Sequence, residues 1–249
     1  MQTGWEIAGE AAAAAGVTGL WFRSQWCTSQ IWGKTLVAGH NGRELALTFD
    51  DGPSDRYTQE VLELLAYRRV QATFFFMGKY VRDLPWLVRM AAEAGHTIGN
   101  HSMTHRNLAY LTSKAITAEI RDCTALLEDA IGTKVRFFRP PYGGRRPAVL
   151  RAAREQGLEV VLWNSMGYDW RAGRSPKQIM KAVERGIRSN RKAGRGSNIL
   201  LHDGGPSAQG ADRGRTVAAL TSLLERGTVA GYQFVPISHW WPATDATSA

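Results

Sequence analysis

Two adjacent carboxylates, Asp50 and Asp51, stand in the segment Thr48-Phe49-Asp50-Asp51-Gly52-Pro53. Side by side and away from water they repel, and both stay ionised only where something positive neutralises one of them. A bound metal would do so. A turn with an Asp cap for the following helix accounts for one acid but poorly for two. Two histidines four apart follow in His101-Ser102-Met103-Thr104-His105. On one face of a helical turn such a pair can share one ion. Two imidazoles and one carboxylate leave a metal with open positions for water and substrate, as a catalytic site requires. Zinc suits these ligands, and cobalt, nickel or iron would be tolerated, because nitrogen and oxygen donors select poorly among such metals.

Three further segments carry chemistry. In Arg139-Pro140-Pro141-Tyr142-Gly143 the prolines stiffen the backbone, which can hold the Tyr142 N–H in place as a donor to an oxyanion, while Arg139 can pair with a buried carboxylate. Asp169-Trp170 precedes the apolar run Leu200-Leu201-His202-Asp203-Gly204-Gly205. Beside a carboxylate such as Asp169, His202 would stay protonated and act as a general acid.

The elements that must position these residues alternate along the chain. Short apolar runs at 44–50, 72–77, 97–100, 135–139, 159–164, 198–202 and 233–237 read as strands. Amphipathic segments at 58–68, 85–94, 113–131, 147–156, 176–190 and 215–226 read as helices, several with a glycine just past the last turn. Such alternation predicts an α/β fold with a parallel sheet and helices outside it. Seven strands in one unit predict a single-domain, distorted (β/α)7 barrel, whose chemistry gathers at the C-terminal strand ends. Four of the five chemically suggestive segments directly follow a predicted strand or form its tip, and Asp169 lies a few residues past one. Along 45–50, Leu45, Leu47 and Phe49 point one way and Ala46, Thr48 and Asp50 the other, so the small and polar set faces the crowded interior and aims Asp50 at the mouth.

The ordered set TFDDGP, HSMTH, RPPYG, DW and LLHDGG resembles the polysaccharide deacetylases of the NodB-homology type, carbohydrate esterase family four. Each motif alone is weak; five in the family's order are specific. The resemblance runs from Thr48 to Gly205, with the strand–helix rhythm continuing to about Ile237, which places a deacetylase domain at 44–241, an N-terminal extension at 1–43 and a tail at 242–249. It implies Asp50 as catalytic base, Asp51, His101 and His105 as metal ligands, and Arg139 as the residue that orients the base. It further implies the Tyr142 N–H as oxyanion donor, His202 as general acid and Asp169 as the carboxylate that tunes it. Trp170 and Leu200 would wall the pocket that receives the acetyl methyl. The implied substrate is an N-acetylated glycan: chitooligosaccharide, peptidoglycan or exopolysaccharide. One departure is Met166, three positions before Asp169, where the family often has Asp. Rival readings are an O-acetyl esterase or non-sugar amidohydrolase on the same site, or a catalytically silent carbohydrate-binding barrel.

Composition bounds the rest. The chain has 249 residues, 44% of them hydrophobic, and a formal net charge of +9. The basic residues concentrate in Lys181, Arg185, Arg188, Arg191, Lys192 and Arg195, which read either as a solvated helix face or as an attraction to an anionic partner. No nucleic-acid-binding pattern accompanies them, so no such partner is expected. The apolar stretch 11–22 follows Glu6 and Glu10 rather than basic residues, unlike a secretory leader. No membrane anchor is visible, and the expected location divides between the cytoplasm and the cell envelope. Cys27 and Cys123 can be one disulfide or two thiols. Trp86, Trp163, Trp170 and Trp240-Trp241 are candidates to stack on sugar rings, or simply core.

Overall fold

In the computed structural model, residues 26–241 are described; the stretch 11–22 and the predicted tail 242–249 lie outside them. The fold is organised around strand β1 (Glu44–Asp50), every residue of which is buried. It pairs in parallel along its whole upper length with β7 (Ser197–His202), in a register that sets Asp50 opposite His202. On its other side, β2 (Thr73–Phe76) covers the C-terminal half of β1, and β8 (Gln233–Phe234) covers its start. The sheet continues through β3 (Thr97–Asn100), β4 (Phe137–Phe138) and β5 (Glu159–Val160), all parallel, and β6 (Ser165–Met166) flanks β7. The order is β5-β4-β3-β2-β1-β7-β6, seven parallel strands in a curled half-barrel, with β8 paired to β1 beside that path.

The alternation read from the sequence holds. Leu45, Leu47 and Phe49 pack outward with Ile199 and Leu201 of β7 against the helices, whereas Ala46 joins Phe75, Phe137, Val161 and Ile237 inside the barrel. Phe49, Phe74 and Phe76 stack on the outer face with centroids 5.1 and 5.4 Å apart, contacts worth about 0.5–1.5 kcal/mol each beyond area burial.

The run 159–164 was expected to be one strand and is not. Its first residues hydrogen-bond to β4, and the chain then crosses to β7, where Asn164 N–H donates to Asn198 O at 3.2 Å before β6 begins. One segment must thus join both edges of the half-barrel, and it can satisfy only one ladder at a time. At the crossing, Leu36 pairs with Val161, donating to Val160 O at 2.8 Å and accepting from Leu162 N at 2.9 Å. Part of the stretch before residue 44 is therefore stitched to the barrel. The seventh strand on the sheet path is consequently β6, not the 233–237 run.

The helices surround this sheet: α1 (Asp55–Arg68), α2 (Gly78–Val81), α3 (Pro85–Glu93), α4 (Ser113–Ile131), α5 (Pro147–Glu155), α6 (Pro176–Lys192) and α7 (Gly214–Val229). α4 is capped by the Thr112 hydroxyl and α6 by a Ser175–Gln178 capping box, which satisfy orphan N–H groups of their first turns. The one-turn helix α2 was not expected; four residues are too few to display a helical period. Among the described residues no helix is long and apolar enough to cross a membrane. Cys123 is buried on α4, Cys27 is partly exposed, and both are free thiols.

Candidate active site

The C-terminal end of β1 delivers Asp50 and Asp51 into a cavity of about 290 Å³, whose lining also includes His101, His105, Tyr142 and His202. Asp50 is held from below. Arg139, fully buried, donates through Nη1 to Asp50 Oδ1 and to Thr48 Oγ1, both at 2.7 Å, and through Nη2 to Asn198 Oδ1 at 3.1 Å. Its guanidinium lies 4.1 Å from the Phe75 ring centroid. Burial alone lowers the pKa of Arg139, and the Asp50 charge works against that loss. A guanidinium stays protonated even so, so Arg139 remains a donor to Asp50. Thr48 and Asn198 were not anticipated as site residues, although Asn198 follows the same alternation that turns Leu200 and His202 inward.

The two histidines come together without the helical turn expected of their spacing. Residues 101–107 form a loop in which Ser102 and His105 adopt φ of 65° and 62°. Side chains impose this shape: Asn100 Oδ1 accepts from Ser102 N–H at 2.7 Å, Ser102 Oγ from His105 N–H at 3.0 Å, and Glu119 Oε2 from Thr104 N–H at 2.9 Å. Local side-chain acceptors thus outcompete the helical ladder.

Asp51 Oδ1, His101 Nε2 and His105 Nε2 meet, with all three ligand atoms within 4.8 Å of one another. Asp51 Oδ1 stands 3.4 Å from His101 Nε2 and 3.0 Å from His105 Nε2, yet it is buried without a hydrogen-bond partner. His101 Nδ1 lies 2.7 Å from the carbonyl oxygen of Arg139, an acceptor only, so Nδ1 donates there and Nε2 is the nitrogen turned to Asp51. A carboxylate oxygen set between two imidazole nitrogens in a dry site is a cation's environment, and the donor set fits a divalent metal. Burial pushes the Asp51 carboxyl up, but the two imidazoles and the His202 charge outweigh it and hold Asp51 well below the usual carboxylate range. Burial also lowers His105, which favours the neutral, ligating form.

On the other side of the cavity, His202 Nδ1 pairs with Asp169 Oδ1 at 2.9 Å, while Asp169 Oδ2 accepts from the His202 N–H at 2.8 Å and from Thr216 Oγ1 at 2.9 Å. Burial works to lower the His202 pKa, and the Asp169 charge and hydrogen bond reverse it, raising it to about 9. Asp169 is depressed by the same partnership, against its own burial. The Trp170 ring meets His202 edge-on at 5.1 Å and stays 42% exposed, whereas Leu200 is buried against Leu162 and Trp163. Met166 packs on this apolar wall. Tyr142 adopts φ 59° after the two prolines, and its ring stands edge-on to His105 at 4.7 Å.

Asp203, next to His202 in the chain, is a site residue that the sequence did not single out. It is fully buried behind Asp51, accepts from Thr58 Oγ1, and is pushed up to about 7, first by burial and further by the two aspartates beside it. The glycines of the two motifs make this contact possible: a Cβ on Gly52 would lie 2.4 Å from Asp203 Oδ2, and one on Gly204 would lie 2.2 Å from Asp51 O. Of the other tryptophans, Trp163 is buried and lines the cavity with Leu200, Trp86 is exposed on α3 away from that lining, and Trp240 packs at the opposite end of β1 against Glu44.

Comparison with known proteins agrees with this geometry. The polysaccharide deacetylase family model matches residues 38–161. A peptidoglycan-N-acetylglucosamine deacetylase of Bacillus cereus is 37% identical over 206 residues, spanning 82% of this chain and 91% of the relative. A chitooligosaccharide deacetylase of Sinorhizobium fredii is 37% identical, spanning 75% of this chain and 86% of that one. Among solved structures, a Bacillus anthracis protein described as a CE4 family pseudoenzyme superposes with a TM-score of 0.72 at 27% identity, over 83% of this chain and 68% of its own. The chain belongs to the polysaccharide deacetylase family, and it is an enzyme of the CE4, NodB-homology type.

Proposed function

We propose that this protein is a metal-dependent N-deacetylase that removes acetyl groups from N-acetylglucosamine residues of a glycan and releases acetate, with peptidoglycan and chitooligosaccharide as the leading substrates. The observation that carries the reading is the facing of two half-sites across one cavity: the Asp51, His101 and His105 cluster on one side, and the Asp169-supported His202 on the other. Residues 44–241 would form the catalytic domain, with 26–43 packed onto it.

Asp51, His101 and His105 would hold the divalent metal, with zinc the best match to the donors and cobalt, nickel or iron tolerated. When bound, such an ion polarises the acetyl carbonyl and lowers the pKa of water. The chain's own groups then divide the work. Asp50, fixed by Arg139, takes the proton from the attacking water. The Tyr142 N–H donates to the oxyanion that develops on the carbonyl carbon's oxygen. His202, kept protonated by Asp169, gives its proton to the departing amine. Leu200 and Trp170 exclude water around the acetyl methyl.

A pseudoenzyme shares the fold, so the superposition with it carries no weight for activity, and the named relatives and the residues present carry it instead. The presence here of Asp50, both histidines of the cluster and the His202–Asp169 pair favours the active reading. The deciding assay is acetate release from N-acetylglucosamine oligomers and from peptidoglycan, after chelation and after addition of zinc or cobalt. Release that stops on chelation and returns with metal is expected. No release from either substrate by protein carrying stoichiometric metal would overturn the proposal.

A further inference from the structure

Beside the cavity just described lies a second pocket, of about 370 Å³, lined by Arg171, Arg174, Lys181 and Arg185 together with Tyr168 and Gln178. Resting on the deacetylase reading above, we propose that this pocket binds an oxyanion group carried by the glycan, a carboxylate or a phosphate, so that the enzyme selects charged polymer over neutral oligosaccharide.

The pocket is built from one face of α6 and the loop that leads into it. On α6, residues 178, 181, 182 and 185 recur at helical spacing and present Gln178, Lys181, Ala182 and Arg185 on one face. The loop before α6 brings Arg171 and Arg174 to the same place by laying both guanidinium groups on the Tyr168 ring, 4.8 and 5.2 Å from its centroid. No carboxylate lines the pocket. Among the described residues none of the four cations is in a salt bridge. The nearest acid on α6, Glu184, faces Arg188 and Arg226 instead, and Asp169 is committed to His202. Arg174 Nε is buried and lacks a hydrogen-bond partner. Four like charges around one concavity repel unless a counter-anion enters, and guanidinium forks match the planar oxygens of a carboxylate or phosphate.

Position ties the pocket to catalysis. Tyr168, which carries the two arginines, is 5.5 Å ring to ring from Trp170, and Trp170 is 5.1 Å from His202. An unbroken aromatic path therefore leads from the group assigned to protonate the leaving amine to the cationic pocket. A glycan with one sugar in the active cavity can lie along these rings and place an acidic substituent of a neighbouring sugar among the cations.

The test compares wild type with an Arg171→Ser/Lys181→Ser variant, both side chains being exposed and outside the reacting groups. The substrates are a neutral N-acetylglucosamine oligomer, a carboxylate-bearing peptidoglycan fragment, the same fragment with its carboxylates amidated, and a phosphorylated N-acetylglucosamine oligomer. The expected result is an about tenfold fall in kcat/KM for the charged substrate relative to the neutral one in the variant, carried by KM, and a like fall when the fragment is amidated for wild type. The carboxylate and phosphate arms identify which group the pocket takes. Equal effects on neutral and charged substrates, or no discrimination by wild type, would overturn the subsite. Should wild type release acetate from nothing, the deacetylase reading falls, and calorimetric titration of the charged fragment still decides the pocket: binding weakened about tenfold in the variant supports it, and unchanged binding refutes it.

Discussion

Strand β1 begins with Glu44 and runs out into Asp50 and Asp51, and the two ends treat their acids differently. At the floor, Glu44 accepts from Trp240 Nε1 at 2.6 Å and lies 3.3 Å from both Asn41 Nδ2 and His239 Nε2. Its carboxylate is matched by donors, and the Trp240 ring fills the space beside Gly39 and Gly196. At the mouth, Asp50 is matched by Arg139, but Asp51 Oδ1 is buried next to two imidazole nitrogens with no hydrogen bond. Asp203, pushed up to about 7, adds a third acid behind it. A satisfied buried acid is ordinary structure; an unsatisfied one costs stability and persists where function needs it. The floor teaches what this barrel does with a carboxylate that only has to fold.

That contrast can be broken by substitution. The largest effect is expected for Asp50→Asn, which removes the base and spares the ligand cluster: turnover should fall about a thousandfold with bound metal unchanged by elemental analysis. Substantial activity would remove Asp50 from the base role. His101→Ala should lose metal and activity together, by about a hundredfold or more at limiting zinc; full metal occupancy in that variant would exclude His101 as a ligand. Asp169→Asn should lower kcat by about a hundredfold and also move the pH profile. In the wild type the raised pKa of His202 keeps the imidazolium protonated, so activity should decline only as pH rises through about 9. Removing the Asp169 charge lets the proton leave sooner, and the alkaline limb should shift to lower pH. A limb that stays in place would refute the pairing as its cause. The smallest catalytic effect belongs to the floor. Trp240→Phe deletes one donor to Glu44 and should cost about 1–3 kcal/mol in a denaturation experiment while leaving kcat unchanged.

What the sequence alone determined is the local part. Period-two alternation in 44–50 aimed Asp50 inward, Gly52-Pro53, Pro140 and Gly204 turn the chain just past three of the strands, and five short motifs in order carried the family resemblance. Residue type and spacing encode these directly, because strand and helix periodicity are properties of the backbone. Only the tertiary structure decided the rest. His101 and His105 converge through a loop held by Asn100 and Glu119, from β3 and α4, so their spacing predicted the meeting but not its geometry. The split of 159–166 between two ladders follows from closing the half-barrel, a condition no single strand can express. Asn198 and Asp203 became site residues because β7 lies beside β1 and the Gly52 and Gly204 turns interlock. The cationic pocket likewise joins a helix face to a loop that folds back on Tyr168. The contacts of β1 with β7 and of the histidine loop with Glu119 join residues distant in the chain, and their energies exist only once the sheet has brought them within reach.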